Sequence, residues 1–158
     1  MSSGYTPELF DIDNENAWKE HLEEEGYVVL RNILSIDKKQ EYFNTFKQDW
    51  NKVTPNFNFE DKTTWSIKNS PLMFGKGMAI YKGFGQSNYM WSLRTDPNIK
   101  SIFEKIFNEP ELVCSLDGYS VFLSKEQKSK PWLHIDQNPS NTLYSIQGAY
   151  NFMPVQSV

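Results

Sequence analysis

The sequence is short of the residues that build disulfide-stapled and zinc-bearing proteins. Cys114 is the only cysteine, which excludes an internal disulfide, and two histidines, His21 and His134, cannot make a three-histidine zinc site. Arginine is as scarce, with Arg31 and Arg94 alone. Apolar runs are brief: Tyr27-Val28-Val29-Leu30 falls far below the roughly 20 residues of a membrane-spanning helix. The start, Met1-Ser2-Ser3-Gly4-Tyr5-Thr6-Pro7-Glu8, has neither a basic head nor an apolar centre, and Asn138-Pro139-Ser140 is a sequon blocked by its proline. A cytoplasmic protein with no membrane partner is therefore expected. Positive charge is also lacking. The 16 Lys+Arg against 20 Asp+Glu leave −4 over 158 residues, which argues against nucleic acid as a partner.

Aromatic side chains are abundant instead: 11 Phe, 8 Tyr and 5 Trp in a chain that is 39% hydrophobic, enough for one domain's core. Residues 1–12 read as a polar, flexible N-terminus and 13–158 as a single domain. Asp13 or Asn14 is placed to cap a helix over 14–25, with Trp18 and Leu22 on one face and Gly26 as its stop. Tyr27-Val28-Val29-Leu30 predicts a short strand. Ser35 caps a second helix, in which Ile36, Phe43, Phe46 and Trp50 form one stripe of a 3.6-residue repeat. Asp96-Pro97 opens a third, with Ile99, Ile102, Phe103, Ile106 and Phe107 on its inner face and Pro110 past its end. Residues 51–75 predict a long loop, and strands are expected over 112–122, 131–136 and 142–153. With helices first and sheet last, the fold class is α+β.

Two tempting motifs fail. Gly75-Lys76 is followed by Gly77 rather than Ser or Thr, and Gly83-Phe84-Gly85 has Asn88 where a dinucleotide fingerprint places its third glycine; flexible turns account better for both. Cys114 sits in an apolar segment with no cation nearby to favour a thiolate. That argues for a structural cysteine over a Cys114–His134 hydrolase pair.

One constellation carries chemistry. Trp132-Leu133-His134-Ile135-Asp136-Gln137 predicts a strand whose two-residue alternation sends His134 and Asp136 to the same face. An imidazole and a carboxylate so placed can share a metal ion, as two of the three ligands in the 2-His-1-carboxylate arrangement of non-haem Fe(II) oxygenases. The same two groups can also be partners of one another on a half-buried strand. His21, in an outer helix beside Glu20 and Glu24, is expected on a solvated face away from any metal.

Five segments follow one another in a telling order: Glu25-Gly26-Tyr27-Val28-Val29-Leu30-Arg31-Asn32-Ile33-Leu34-Ser35, Gly83-Phe84-Gly85-Gln86-Ser87-Asn88-Tyr89-Met90-Trp91-Ser92-Leu93-Arg94, Leu112-Val113-Cys114-Ser115-Leu116-Asp117-Gly118-Tyr119, the His134 segment, and Ser145-Ile146-Gln147-Gly148-Ala149-Tyr150-Asn151. In this order the chain resembles, from about residue 20 onward, the phytanoyl-CoA dioxygenase-like family of Fe(II)/2-oxoglutarate-dependent oxygenases. The resemblance implies a double-stranded β-helix (jelly roll) with helices packed outside it. It further implies an oxidoreductase that hydroxylates a small organic substrate with O₂, holding iron on His134 and Asp136 and taking 2-oxoglutarate as cosubstrate. Gln137, Tyr119 and Tyr150 are the candidates for the cosubstrate pocket, with barrel packing as the competing account of each.

The family's second iron-binding histidine comes late in its sequences, followed by an arginine that grips 2-oxoglutarate. Here no histidine follows His134 and no arginine follows Arg94, and residues 112–158 are too few for the eight strands of a jelly roll. The expectation is an N-terminal portion of an oxygenase lacking the C-terminal part of its β-helix, inactive alone and able to self-associate through an exposed sheet edge. The alternative is a non-catalytic jelly-roll binding or assembly module.

Overall fold

The computed structural model describes residues 6–74, 77–122, 134, 136–138, 140 and 145–152. It begins with a β-α-β unit. Strands β1 (Leu9–Asp11) and β2 (Val29–Arg31) pair in parallel, Phe10 opposite Leu30, and helix α1 (Glu15–Glu25) crosses between them. Trp18 and Leu22 are the buried face of α1, and the Trp18 indole donates to the Ile12 carbonyl at 3.1 Å. Gly26 ends the helix at φ +76°, where a side chain would be strained, and its N–H donates to the Leu22 carbonyl. A flexible tail through residue 12 was the expectation; Leu9–Asp11 form a strand, with Phe10 buried. Local composition misses this because the partner strand lies about twenty residues on. The Arg31 guanidinium grips Asp11 with two bonds of 2.9 and 2.6 Å, and holds that carboxyl below its usual range.

Helix α2 (Ile36–Val53) starts where Ser35 accepts the Lys38 N–H at 3.2 Å. Its buried residues are Tyr42, Phe46, Asp49 and Trp50. Ile36, expected in the stripe, is 83% exposed. At about 100° per residue it falls roughly a quarter-turn from the centre of the buried face, level with half-buried Phe43 at that face's edge. The long loop after α2 contains two short 3₁₀ turns, Lys62–Thr64 and Ile67–Asn69, and is pinned by buried Phe57, on which Trp65 stacks at 6.0 Å.

Helix α3 (Asn88–Arg94) had no sequence signal of its own beyond Ser87, whose hydroxyl accepts the Met90 N–H. A long-range contact completes it. The buried Asp49 carboxylate of α2 accepts the Tyr89 N–H at 2.9 Å and the Asn88 amide at 3.3 Å. Helix α4 (Pro97–Phe107) follows the expected pattern, capped by Asp96 and ended by Asn108 in the left-handed region. None of its side chains is fully buried, so its apolar stripe is only half covered.

The core is an aromatic cluster centred on Trp50, with Phe46, Phe57, Phe84 and Tyr119 at ring distances of 5.6, 5.5, 6.0 and 6.4 Å. Strands β3 (Met78–Ala79) and β4 (Tyr119–Ser120) form an antiparallel ladder that carries Tyr119 into this cluster. Arg94 ties β4 to the helices, donating to the Gly85 carbonyl and, at 2.5 Å, to the Asp117 carbonyl.

The class is α+β. Among the described residues the strands make two two-stranded ladders and no closed barrel. The strand expected over 112–122 pairs at Tyr119–Ser120, with the Val121 N–H donating to the Gly77 carbonyl at 2.9 Å beyond them, and among the described residues 145–152 form no strand. The remaining positions of the expected strands 131–136 and 142–153 lie outside the described residues, His134 and Asp136 excepted. No described helix is long and apolar enough to cross a membrane.

Burial, ahead of neighbouring charge, pushes the hydroxyls of Tyr42, Tyr89 and Tyr119 well above the ordinary tyrosine range. A raised folded-state pKa favours the protonated form. This contribution to stability is therefore complete below the unfolded value of about 10 and is lost as pH rises beyond it. Urea unfolding between pH 8 and 11.5 is expected to show stability falling above about pH 10, with phenolate absorbance from these tyrosines appearing only on unfolding. A flat profile would contradict their burial.

Candidate functional site

The spacing of His134 and Asp136 does bring their side chains together. His134 Nε2 lies 3.2 Å from Asp136 Oδ1, with side-chain exposures of 39% and 58%, so the pair is open to solvent. Neither residue is in a β-ladder, and Asp136 and Gln137 form a bend; the i, i+2 spacing therefore acts here without a paired strand.

Asp136 has a second partner. Gln147 donates its side-chain amide to Oδ2, the oxygen that does not face His134. The stretch around Gln147 is seated on the helical layer. A Cβ at Gly148 would come within 2.7 Å of Phe103 Cζ on α4, a fit that glycine alone allows without movement. Two residues on, the Tyr150 ring meets Phe152 at 4.7 Å, and Phe152 packs against Tyr89 at 5.4 Å and Phe43 at 6.4 Å. No role for Gln147 was apparent in the sequence. The available signal was a polar side chain within Ile146-Gln147-Gly148-Ala149-Tyr150, an otherwise apolar segment.

Chemically, an imidazole nitrogen and a carboxylate oxygen at this distance suit two situations. With a proton on Nε2 they form a charge-assisted contact. With a metal ion in place of the proton, two ligands at about 2.1 Å and at right angles to each other stand about 3.0 Å apart, close to the separation seen. Among the described residues no three His, Cys, Asp or Glu side chains are grouped to hold a metal.

The other candidates are placed differently. Tyr119 is held by the rings of Phe46, Phe84 and Tyr89 at 5.3 to 5.4 Å, and its hydroxyl is buried without a hydrogen-bond partner among the described residues. Tyr150 is half-buried on Phe152, and burial, then the charge of Asp96, raises its hydroxyl pKa. Gln137 is half-buried beside Asp136 in the chain. His21 is half-buried rather than on an open solvated face: it packs between Phe10 and Tyr27 at 4.9 and 5.3 Å, with Nε2 buried and without a hydrogen-bond partner among the described residues. Cys114, expected in an apolar strand, is exposed on unpaired backbone.

Over 140 residues, 87% of its length, the chain is 31% identical to the Ava biosynthesis cluster protein O of Aspergillus versicolor, and it spans 45% of that protein. No family model matches the sequence. No solved structure matches it.

Proposed function

We propose that His134 and Asp136 are two of the three iron ligands of an Fe(II)/2-oxoglutarate-dependent dioxygenase of the phytanoyl-CoA dioxygenase-like kind, which hydroxylates a small organic substrate with O₂. The observation that supports this best is the 3.2 Å approach of an imidazole nitrogen and a carboxylate oxygen on a solvent-open surface, a donor pair that suits ferrous ion. A relative whose name places it in a biosynthesis cluster is in keeping with a small-molecule substrate. When bound, iron with 2-oxoglutarate would supply the oxidising power for hydroxylation. The part of the chain itself is to present Nε2 of His134 and Oδ1 of Asp136 side by side.

The second iron-binding histidine, which would be the third ligand, and the arginine clamp for 2-oxoglutarate belong, in this proposal, to polypeptide corresponding to the part of the relative that the chain does not span. The same polypeptide would complete a jelly roll on the two short ladders. Exposed Phe74, Ile80, Leu116 and Phe122, on or beside the β3–β4 region, fit a surface that such a layer would cover. They also favour a second reading, a non-catalytic module that uses this surface for assembly or self-association.

The chain alone is expected to bind Fe(II) weakly and not to consume 2-oxoglutarate. Anaerobic Fe(II) titration should show binding that His134→Ala and Asp136→Ala each weaken by about 100-fold, with unchanged circular dichroism, since both side chains are exposed. Titrations indifferent to both substitutions would refute the metal reading and leave the assembly reading standing.

A further inference from the structure

We infer that Gln147 is a positioning residue for the His134–Asp136 pair, holding the Asp136 carboxylate so that Oδ1 faces His134 Nε2. The inference rests on the metal reading proposed above and adds to it the group that aims the carboxylate. A carboxylate on an exposed bend can turn about its side-chain bonds, so a bond to one oxygen constrains where the other points. The amide of Gln147 takes up the other oxygen, Oδ2. That leaves Oδ1 at 3.2 Å from Nε2.

The amide works from a fixed base. Gly148 rests against Phe103 so closely that a methyl group in its place would overlap the ring, and Phe152 lies among Phe43 and Tyr89 of the aromatic cluster. Gln147 thus connects an exposed pair of metal-type donors to a segment seated on the aromatic side chains of the helical layer. Hydrogen bonds from neighbouring groups commonly orient metal-binding carboxylates in this way, and their loss typically weakens metal binding about 10- to 100-fold.

The test uses Mn(II) and the intact chain, followed by paramagnetic broadening of the His134 ring signals in NMR spectra. Wild-type chain, His134→Ala, Gln147→Ala and the near-isosteric Gln147→Met are compared, with thermal melts run in parallel. The expected result is broadening in the wild type that is absent in His134→Ala at its remaining Asp136 signals. The affinity should be at least about 10-fold weaker in both Gln147 variants, with melts unchanged because Gln147 is exposed. A second readout needs no metal: the side-chain amide signals of Gln147 should shift in Asp136→Ala. Wild-type affinity in both Gln147 variants, or Gln147 amide signals that ignore Asp136→Ala, would overturn the inference and leave the metal reading intact. A wild-type chain whose His134 signals ignore Mn(II) would overturn the metal reading itself, and the inference with it.

Discussion

Replacing Trp50 by alanine is expected to cost about 3–5 kcal/mol in urea unfolding, a large part of the roughly 5–15 kcal/mol that holds a domain together. Trp50 has 0% of its surface exposed and sits among the rings of Phe46, Phe57, Phe59, Phe84 and Tyr119. Its removal leaves a large cavity walled by stiff aromatic side chains, which collapse poorly, and it also ends two edge-to-face contacts, with Phe57 and Phe59, worth about 0.5–1.5 kcal/mol each. Trp91, 41% exposed, is the control; its change to alanine should cost less than about 1 kcal/mol. Trp50→Phe is the more discriminating variant. The indole N–H is buried with no hydrogen-bond partner among the described residues, so phenylalanine removes that donor along with some volume. Its cost is expected at about 1–2 kcal/mol, well short of the alanine variant. Equal costs for Trp50→Ala and Trp91→Ala would mean that the cluster is not the centre of the fold.

Most local signals in the sequence were faithful where the structure is made locally, the exception being Asn14, which stands at the start of α1 without a side-chain cap bond. Ser35, Gly26 and the Asp96-Pro97 pair mark helix ends that the structure keeps, because caps depend on residues within one turn of each other. What long-range partners decide was not legible. Leu9–Asp11 become a strand only because α1 returns the chain to Val29–Arg31, and α3 is fixed by Asp49 from nearly forty residues earlier. Apolar composition over 112–122 suggested one long strand, yet a ladder needs a partner, and among the described residues its end from Tyr119 to Val121 is where one is found. At the site, the spacing puts the side chains of His134 and Asp136 within reach of one another. The hold of Gln147 on Asp136 depends on Gly148 seating its segment against Phe103, a contact between distant parts of the chain that no periodicity encodes.

Asp96→Ala is expected to destabilise the protein by about 3 kcal/mol, about 1 from the lost helix cap and the rest from a buried, charge-assisted hydrogen bond. Asp96 is only 2% exposed; one carboxylate oxygen accepts the N–H groups of Asn98 and Ile99 at 2.9 and 3.4 Å, and the other accepts the Tyr42 hydroxyl at 2.6 Å. Asp96→Asn should retain the cap and cost less, and Tyr42→Phe should remove only the hydroxyl contact. A double-mutant cycle of Tyr42→Phe with Asp96→Ala is expected to give a coupling of about 1–2 kcal/mol, since the two side chains share one bond. The effect should also travel. Asp96 fixes the start of α4, α4 carries Phe103, and Phe103 supports the segment that bears Gln147. Amide hydrogen exchange in Asp96→Ala, under conditions where it is still folded, should therefore quicken over 145–152 more than over α1, which meets α4 through the partly exposed Glu15–Lys105 ion pair. Equal quickening in the two segments would show that the helical layer does not support the site, and the link from core to carboxylate would have to be abandoned.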